Sequence, residues 1–132
     1  MPATDASSPA ASANQSIIWG ALFAATGVGL GAFGAHAMKD HYDEAALRAF
    51  ETGVRYQMLH ALALLACGIL AKQGIPTKLA SRLFAAGILL FSGSIYGLAL
   101  IEAKWLGPIT PIGGSAILAG WVALAIAARK RI

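Results

Sequence analysis

Nine polar side chains stand inside or beside long apolar segments, where they could bind a ligand or hold helices together. They are His36, Arg55, Tyr56, Gln57, His60, Ser92, Ser94, Tyr96 and Thr110. Tyr56, Gln57 and His60 are three and four residues apart, so in a helix they share one face. Ser92 and Tyr96 share another face by the same spacing. Imidazole, phenol and hydroxyl groups together can move protons, bind a small molecule or bond helices to each other.

The sequence leaves several roles open for these side chains. The simplest is an interhelical hydrogen-bond network, in which His60 pairs with Tyr96 or with a serine hydroxyl. The alternatives are a pocket for a small molecule, lipid headgroup or quinone, and a path for protons or ions. A metal site formed by His36, His60 and Cys67 is a further alternative, but two histidines without a clear third ligand bind metal weakly. We therefore predict no metal and no cofactor.

Motifs that would indicate an enzyme are missing from the sequence. It contains no GxSxG elbow, no HExxH pair and no phosphate-binding loop. The acidic side chains Asp40, Asp43, Glu44 and Glu51 could act as acids or bases, but they lie in a stretch that should be solvated. We therefore predict a protein without catalytic residues.

The composition is that of a membrane protein. Hydrophobic residues make up 58% of the chain and charged residues 12%, whereas a soluble domain is about 25% charged. The net charge is +4, and the basic residues flank apolar stretches, as at helix ends beside anionic headgroups. The predicted partner is thus the lipid bilayer, and nucleic acid is excluded.

Four apolar stretches, residues 17–38, 56–71, 79–101 and 112–128, are each long enough to cross a bilayer as a helix. We predict an all-α bundle of four transmembrane helices over residues 16–132, after a disordered tail over residues 1–15. Ser16 is the expected N-cap of the first helix. A signal peptide cleaved after Ala37 is the alternative, although the tail lacks the usual basic residues.

The charged stretch from Asp40 to Arg55 predicts a short interfacial helix between the first two spans. It contains two acid-first i,i+4 pairs, Glu44 with Arg48 and Glu51 with Arg55. An apolar stripe at helical spacing completes its amphipathic pattern.

The distribution of Lys and Arg predicts the orientation. The N-terminal tail, the 72–82 turn and the C-terminal tail carry 0, 3 and 3, against 3 and 1 in the other two connections. This favours cytoplasmic termini. Alternating spans then put the polar side chains in the exterior half, where we expect one cluster centred on His60.

Small residues recur every four positions in two of the predicted spans. Gly27 and Gly31 lie in the first, and Gly93 and Gly97 in the third. Because lipid is as apolar as leucine, helices associate partly through close contact at such positions. The sequence leaves open whether they pack inside the monomer or against a second copy.

Four stretches in order resemble a known family. They are Gly31-Ala32-Phe33-Gly34-Ala35-His36, Arg55-Tyr56-Gln57-x2-His60, Phe91-Ser92-Gly93-Ser94-x-Tyr96, and Thr110-Pro111-Ile112-Gly113-Gly114 followed by Gly120-Trp121. They are similar to the domain-of-unknown-function 423 family, small four-span membrane proteins of bacteria with a mitochondrial relative. The resemblance implies a multi-pass protein of the bacterial cytoplasmic (inner) membrane, and no established activity or site residue.

Two functional hypotheses follow. The first is a non-enzymatic membrane component that acts through helix packing and assembly with other membrane proteins or a second copy. The second is a small transporter, channel or ligand-binding protein that uses the polar cluster. A cavity beside the cluster would favour the second hypothesis, and a packed centre would favour the first.

Overall fold

The computed structural model describes residues 9–129, which form four long helical segments. Their elements are α1 (Pro9–His36), α2 (Glu44–Lys72), α3 (Lys78–Gly87), a π-helical turn (Ile88–Ser92), α4 (Gly93–Ile101), a short 3-10 turn (Lys104–Leu106) and α5 (Ile109–Arg129). The chain continues without a break from α3 through the π turn into α4, so these three elements form one rod. The segments are 24 to 29 residues long and apolar enough to cross a membrane. The predicted four-helix membrane bundle is confirmed.

Helix α1 starts earlier than the sequence predicted. It begins at Pro9, so the disordered tail was wrong for residues 9–15, and residues 1–8 lie outside the described part of the chain. Ala is the best helix former, and this segment also packs: Ala13 is 1% exposed and lies beside Gly68 of α2. Ser16 is consequently inside the helix, where its hydroxyl donates to Ser81 Oγ at 2.9 Å.

The separate interfacial helix was also wrong, because its residues form the first turns of α2. That helix runs unbroken from Glu44 to Lys72, and the Asp43 side chain caps it by accepting from the Ala46 amide at 2.8 Å. The predicted Glu44–Arg48 pair forms at 3.8 Å. The apolar stripe faces the bundle through Phe50, which is 1% exposed, so tertiary packing aligns this stretch with the span.

Helix α2 and the α3–α4 rod form the centre of the bundle. Helix α1 packs mainly on α2, while α5 packs on α3 and the π turn. One apolar core cluster includes Leu64, Cys67 and Phe84, and a second includes Met38 and Phe50. In the most apolar 18-residue stretch of each segment, the buried share is 39% for α2 and 39% for the α3–α4 rod. It is only 22% for α1 and 17% for the last segment, which contains α5. The outer helices therefore present most of their surface to lipid.

The predicted glycines differ in their surroundings. A Cβ on Gly27 would lie 2.5 Å from Met58 Sδ, so α1 and α2 approach closely there. At Gly31 it would meet only ordinary contact, 3.5 Å from Val54. At Gly93 it would meet no atom within 4 Å. Of the two alternatives left open for Gly93, close packing inside the monomer is therefore not observed.

The fourth predicted glycine, Gly97, and two further glycines also have close neighbours. Gly97 faces Leu106, and a Cβ on Gly120 would lie 2.7 Å from the Phe84 ring. Gly113 of α5 touches the backbone of the π turn at Leu90 and Phe91. The widened π turn and the bare face of Gly113 together let two helix backbones meet.

Candidate functional site

His60 is bonded through both ring nitrogens. It lies in α2 and is 1% exposed. The Trp121 indole N–H of α5 donates to Nε2 at 3.0 Å. Since Nε2 accepts, the ring proton resides on Nδ1, which donates to the Tyr56 carbonyl one turn earlier at 2.7 Å. The imidazole is therefore a neutral, fixed tautomer that links α2 to α5.

Aromatic rings surround this imidazole. Tyr56 stacks on it with ring centres 5.9 Å apart and planes 15° from parallel. Phe84 and Trp121 each lie with ring centres 5.7 Å from it, and they contact each other edge to face. The rings remove room for a ligand beside the imidazole. The expected pairing of His60 with Tyr96 or a serine is wrong, because α5 brings the indole donor to that position.

Gln57 joins three helical segments. Its Oε1 accepts from the Tyr96 hydroxyl of α4 at 2.6 Å. Its Nε2 donates to two groups of α1, the Phe23 carbonyl and Thr26 Oγ1, both at 2.8 Å. The side chain is a buried part of α2, so this one amide connects α2 to both α1 and α4 inside the bundle.

Three hydroxyls complete the polar contacts in the same half of the bundle. Ser92, the last residue of the π turn, donates to the Gly53 carbonyl of α2 at 2.7 Å. Ser94 Oγ lies 2.6 Å from Thr110 Oγ1 at the start of α5. Each of these contacts joins consecutive or neighbouring helical segments, so all three hydroxyls serve packing.

Seven of the nine predicted side chains lie in small groups with other predicted side chains, and the remaining two do not. The seven form three separate groups rather than one cluster: His60 with Tyr56, Gln57 with Tyr96 and Ser92 nearby, and Ser94 with Thr110. His36 and Arg55 are exposed and lie apart from these groups. His36 ends α1, and Arg55 lines a small cavity between α1 and α2 together with Gly31 and Ala35.

No space or unpaired polar group marks this region as a binding site. Four prominent cavities among the described residues are lined by other side chains, without His60, Gln57, Tyr96 or Ser92. Within residues 9–129, every buried side-chain nitrogen and oxygen has a hydrogen-bond partner. The same part of the chain holds no group of three His, Cys, Asp or Glu side chains arranged for a metal.

Sequence reasoning missed two members of the network, Trp121 and Thr26. Trp121 is 42% exposed, so it shows lipid one face while its N–H reaches His60. Thr26 also donates to the Leu22 carbonyl of its own helix at 2.9 Å. Such a bond by itself accounts for a threonine in a membrane helix, so the sequence gives no reason to expect a contact with Gln57. The Gly120-Trp121 pair in the fourth motif could have indicated the role of Trp121. Gly120 lets α5 approach Phe84 closely, which brings the neighbouring Trp121 next to His60.

Comparison with known proteins gives one consistent family. The model of a protein family of unknown function, DUF423, matches residues 30–114. A UPF0382 membrane protein of Staphylococcus aureus (strain bovine RF122) is 46% identical over 115 residues, covering 86% of this chain and 94% of that protein. The UPF0382 membrane protein YwdK of Bacillus subtilis is 44% identical over 117 residues, covering 86% and 95%. No solved structure is significantly similar. The chain is therefore a membrane protein that belongs to the DUF423 family, as its four motifs had indicated.

Proposed function

We propose that this chain is a non-enzymatic component of the bacterial cytoplasmic membrane that acts through helix packing and assembly with other membrane proteins. The observation that supports this role is the state of the polar network. Both polar atoms of the Gln57 side chain and both ring nitrogens of His60 are hydrogen-bonded within the bundle. Groups that bind substrate or carry protons need an unpaired donor or acceptor or a nearby water, and these two side chains line none of the four prominent cavities.

Assembly is further supported by glycines that the monomer does not use. Gly29 of α1 and Gly93 of α4 have no atom within 4 Å of an added Cβ. A glycine inside a helix costs about 1 kcal/mol relative to alanine, and an open glycine in a membrane helix allows another helix to come close. These positions are suited to contacts with another membrane protein.

The proposed orientation places both termini in the cytoplasm. It is supported by the collection of Lys72, Lys78, Arg82 and Arg129 at one end of the bundle, because Lys and Arg concentrate on the cytoplasmic side of bacterial membrane proteins.

Purification in mild detergent, followed by mass spectrometry of intact complexes and bound small molecules, tests this role. We expect other membrane proteins, or a second copy, at a fixed ratio and no small molecule at a fixed ratio. The decisive variant is Gln57→Leu, with Thr52→Val as its control, because Thr52 donates only within its own helix. A small molecule held stoichiometrically by the wild type and the control, and lost from folded Gln57→Leu, would overturn the proposal.

A further inference from the structure

One end of the bundle carries charge of a single sign. Helix α2 ends there, α3 begins there and α5 ends there. The described residues at this end include four exposed basic side chains and no acidic one: Lys72, Lys78, Arg82 and Arg129. The acidic residues of the described part lie in the opposite half: Asp40, Asp43, Glu44, Glu51 and Glu102. The basic end therefore has no internal counter-charge in the described structure.

An apolar groove opens to the membrane between α3 and α5 and leads away from this basic end. It has a volume of about 590 Å³, and its walls include Leu79 and Leu83 of α3 and Leu118, Val122 and Ile126 of α5. Leu79 is 63% and Leu118 is 69% exposed, so these walls are accessible from the bilayer. Its lining extends along α5 from Ser115 to Ala127, and Ser115 is the one polar side chain among the lining residues, which suits a hydrocarbon chain.

The charges stand at the mouth of the groove. Arg82 lies three positions after the groove residue Leu79, so the two side chains share a helix face. Lys78 instead lines a neighbouring cavity with Ser12 and Ile75. Arg129 lies three and seven positions after the groove residues Ile126 and Val122 of the antiparallel helix, so it shares their face. Cations from two helices thus border the end of the groove that reaches the membrane surface.

We propose that this groove binds one anionic glycerophospholipid, with an acyl chain between α3 and α5 and the phosphate beside Arg82 and Arg129. The apolar walls match the chain, and the cations match a headgroup of net negative charge. A zwitterionic lipid would bring a quaternary ammonium to an end where the described residues offer no carboxylate. This site is separate from the polar network and does not depend on the function proposed above.

Native mass spectrometry with added lipid tests the site. The probes are phosphatidylglycerol and phosphatidylcholine with the same acyl chains, titrated onto delipidated protein in detergent. Wild-type protein should prefer phosphatidylglycerol by roughly tenfold, given the attraction of two basic residues to an anionic lipid. The double substitution Arg82→Gln with Arg129→Gln should remove that preference. Arg48→Gln with Lys104→Gln is the control, since it removes the same charge from exposed positions at the other end.

A second variant tests the groove without changing charge. Ala119 lines it and is exposed, so Ala119→Trp should occupy the acyl-chain space and lower the retention of both lipids while the thermal melting point stays near that of the wild type. Equal wild-type affinity for the two lipids would overturn the proposal. So would an unchanged preference in the Arg82/Arg129 variant, an equal loss in the control, or full lipid retention by Ala119→Trp.

Discussion

At the scale of single residues, polar side chains in this bundle act as connectors between helices. In hydrocarbon an unpaired donor or acceptor costs several kcal/mol, so each such group must find a partner inside the protein. His60 reaches α5 through Trp121, and Gln57 reaches α1 and α4. The two side chains are one turn apart on α2, and together they fix this helix against the other three segments.

The His60–Trp121 bond should contribute a small and measurable coupling energy. We expect a double-mutant cycle of His60→Leu and Trp121→Phe to give about 0.6 kcal/mol, the mean for polar pairs in membrane helices. The leucine retains bulk and the phenylalanine retains an aromatic ring, so the cycle measures the coupling of the two side chains, the hydrogen bond together with their ring contact. The measurement is reversible unfolding in mixed micelles, and a coupling indistinguishable from zero would mean that the bond contributes nothing.

Gln57→Leu should destabilise the fold more than Tyr96→Phe. The leucine removes three hydrogen bonds and leaves the hydroxyl of the half-buried Tyr96 without its acceptor, which costs about 1–3 kcal/mol. Tyr96→Phe removes one bond, and the Oε1 atom alone loses a partner. Unfolding of both variants in the same micelles checks the order. An equal loss would show that the contacts of Gln57 with Phe23 and Thr26 are energetically silent.

The sequence predicted which residues are polar at membrane depth, but not how they pair. Residue type and position along a helix follow from hydropathy and the 1.5 Å rise. Pairing depends on the rotation of each helix about its axis, which is set by packing. Trp121 shows the difficulty, since its indole satisfies a neighbouring helix with one edge and faces lipid with the rest. His36 shows the reverse, because a helix-end histidine needs no partner.

At the scale of elements, close backbone contact determines how the segments pack. The π turn from Ile88 to Ser92 widens the third segment where Gly113 of α5 touches it. The sequence predicted the span but not this turn, because a π turn has no pattern in hydropathy. The predicted interfacial helix failed for a related reason: amphipathic periodicity cannot distinguish a helix on the membrane surface from the first turns of a span that packs on a neighbour.

Gly113→Ala should destabilise the bundle, whereas Gly93→Ala should not. A Cβ at position 113 collides with backbone atoms of Leu90 and Phe91, which cannot move away as a side chain can, and overpacking typically costs about 1–3 kcal/mol. At position 93 the added methyl meets no atom within 4 Å, so helix propensity predicts a gain of up to about 1 kcal/mol. Thermal melting in detergent compares this matched pair. A stable Gly113→Ala would show that α5 is free to shift away from the turn.

At the scale of the whole molecule, the four segments have unequal roles. Two central segments carry the core, and the outer helices face lipid over most of their surface. The two ends of the bundle differ in charge, and the surface between them is mostly apolar. Composition and span lengths were sufficient to predict this architecture, because the bilayer constrains backbone hydrogen bonding to complete helices. Which outer face would meet the proposed partner depends on surface shape that one sequence does not encode locally.

Reporter fusions should show that the two ends of α2 lie on opposite sides of the membrane. A reporter that is active only in the cytoplasm should be active in the 73–77 turn and after the last residue, and inactive in the 37–43 loop. Lys and Arg at the 72–82 turn and the C-terminus are the physical reason, since they resist translocation. A periplasmic reporter at the same three sites gives the complementary pattern and is the control for expression. Reversal at all three sites would invert the bundle and place the basic groove mouth outside the cell, while equal signals at both ends of α2 would remove this helix from the membrane and contradict the four-helix architecture.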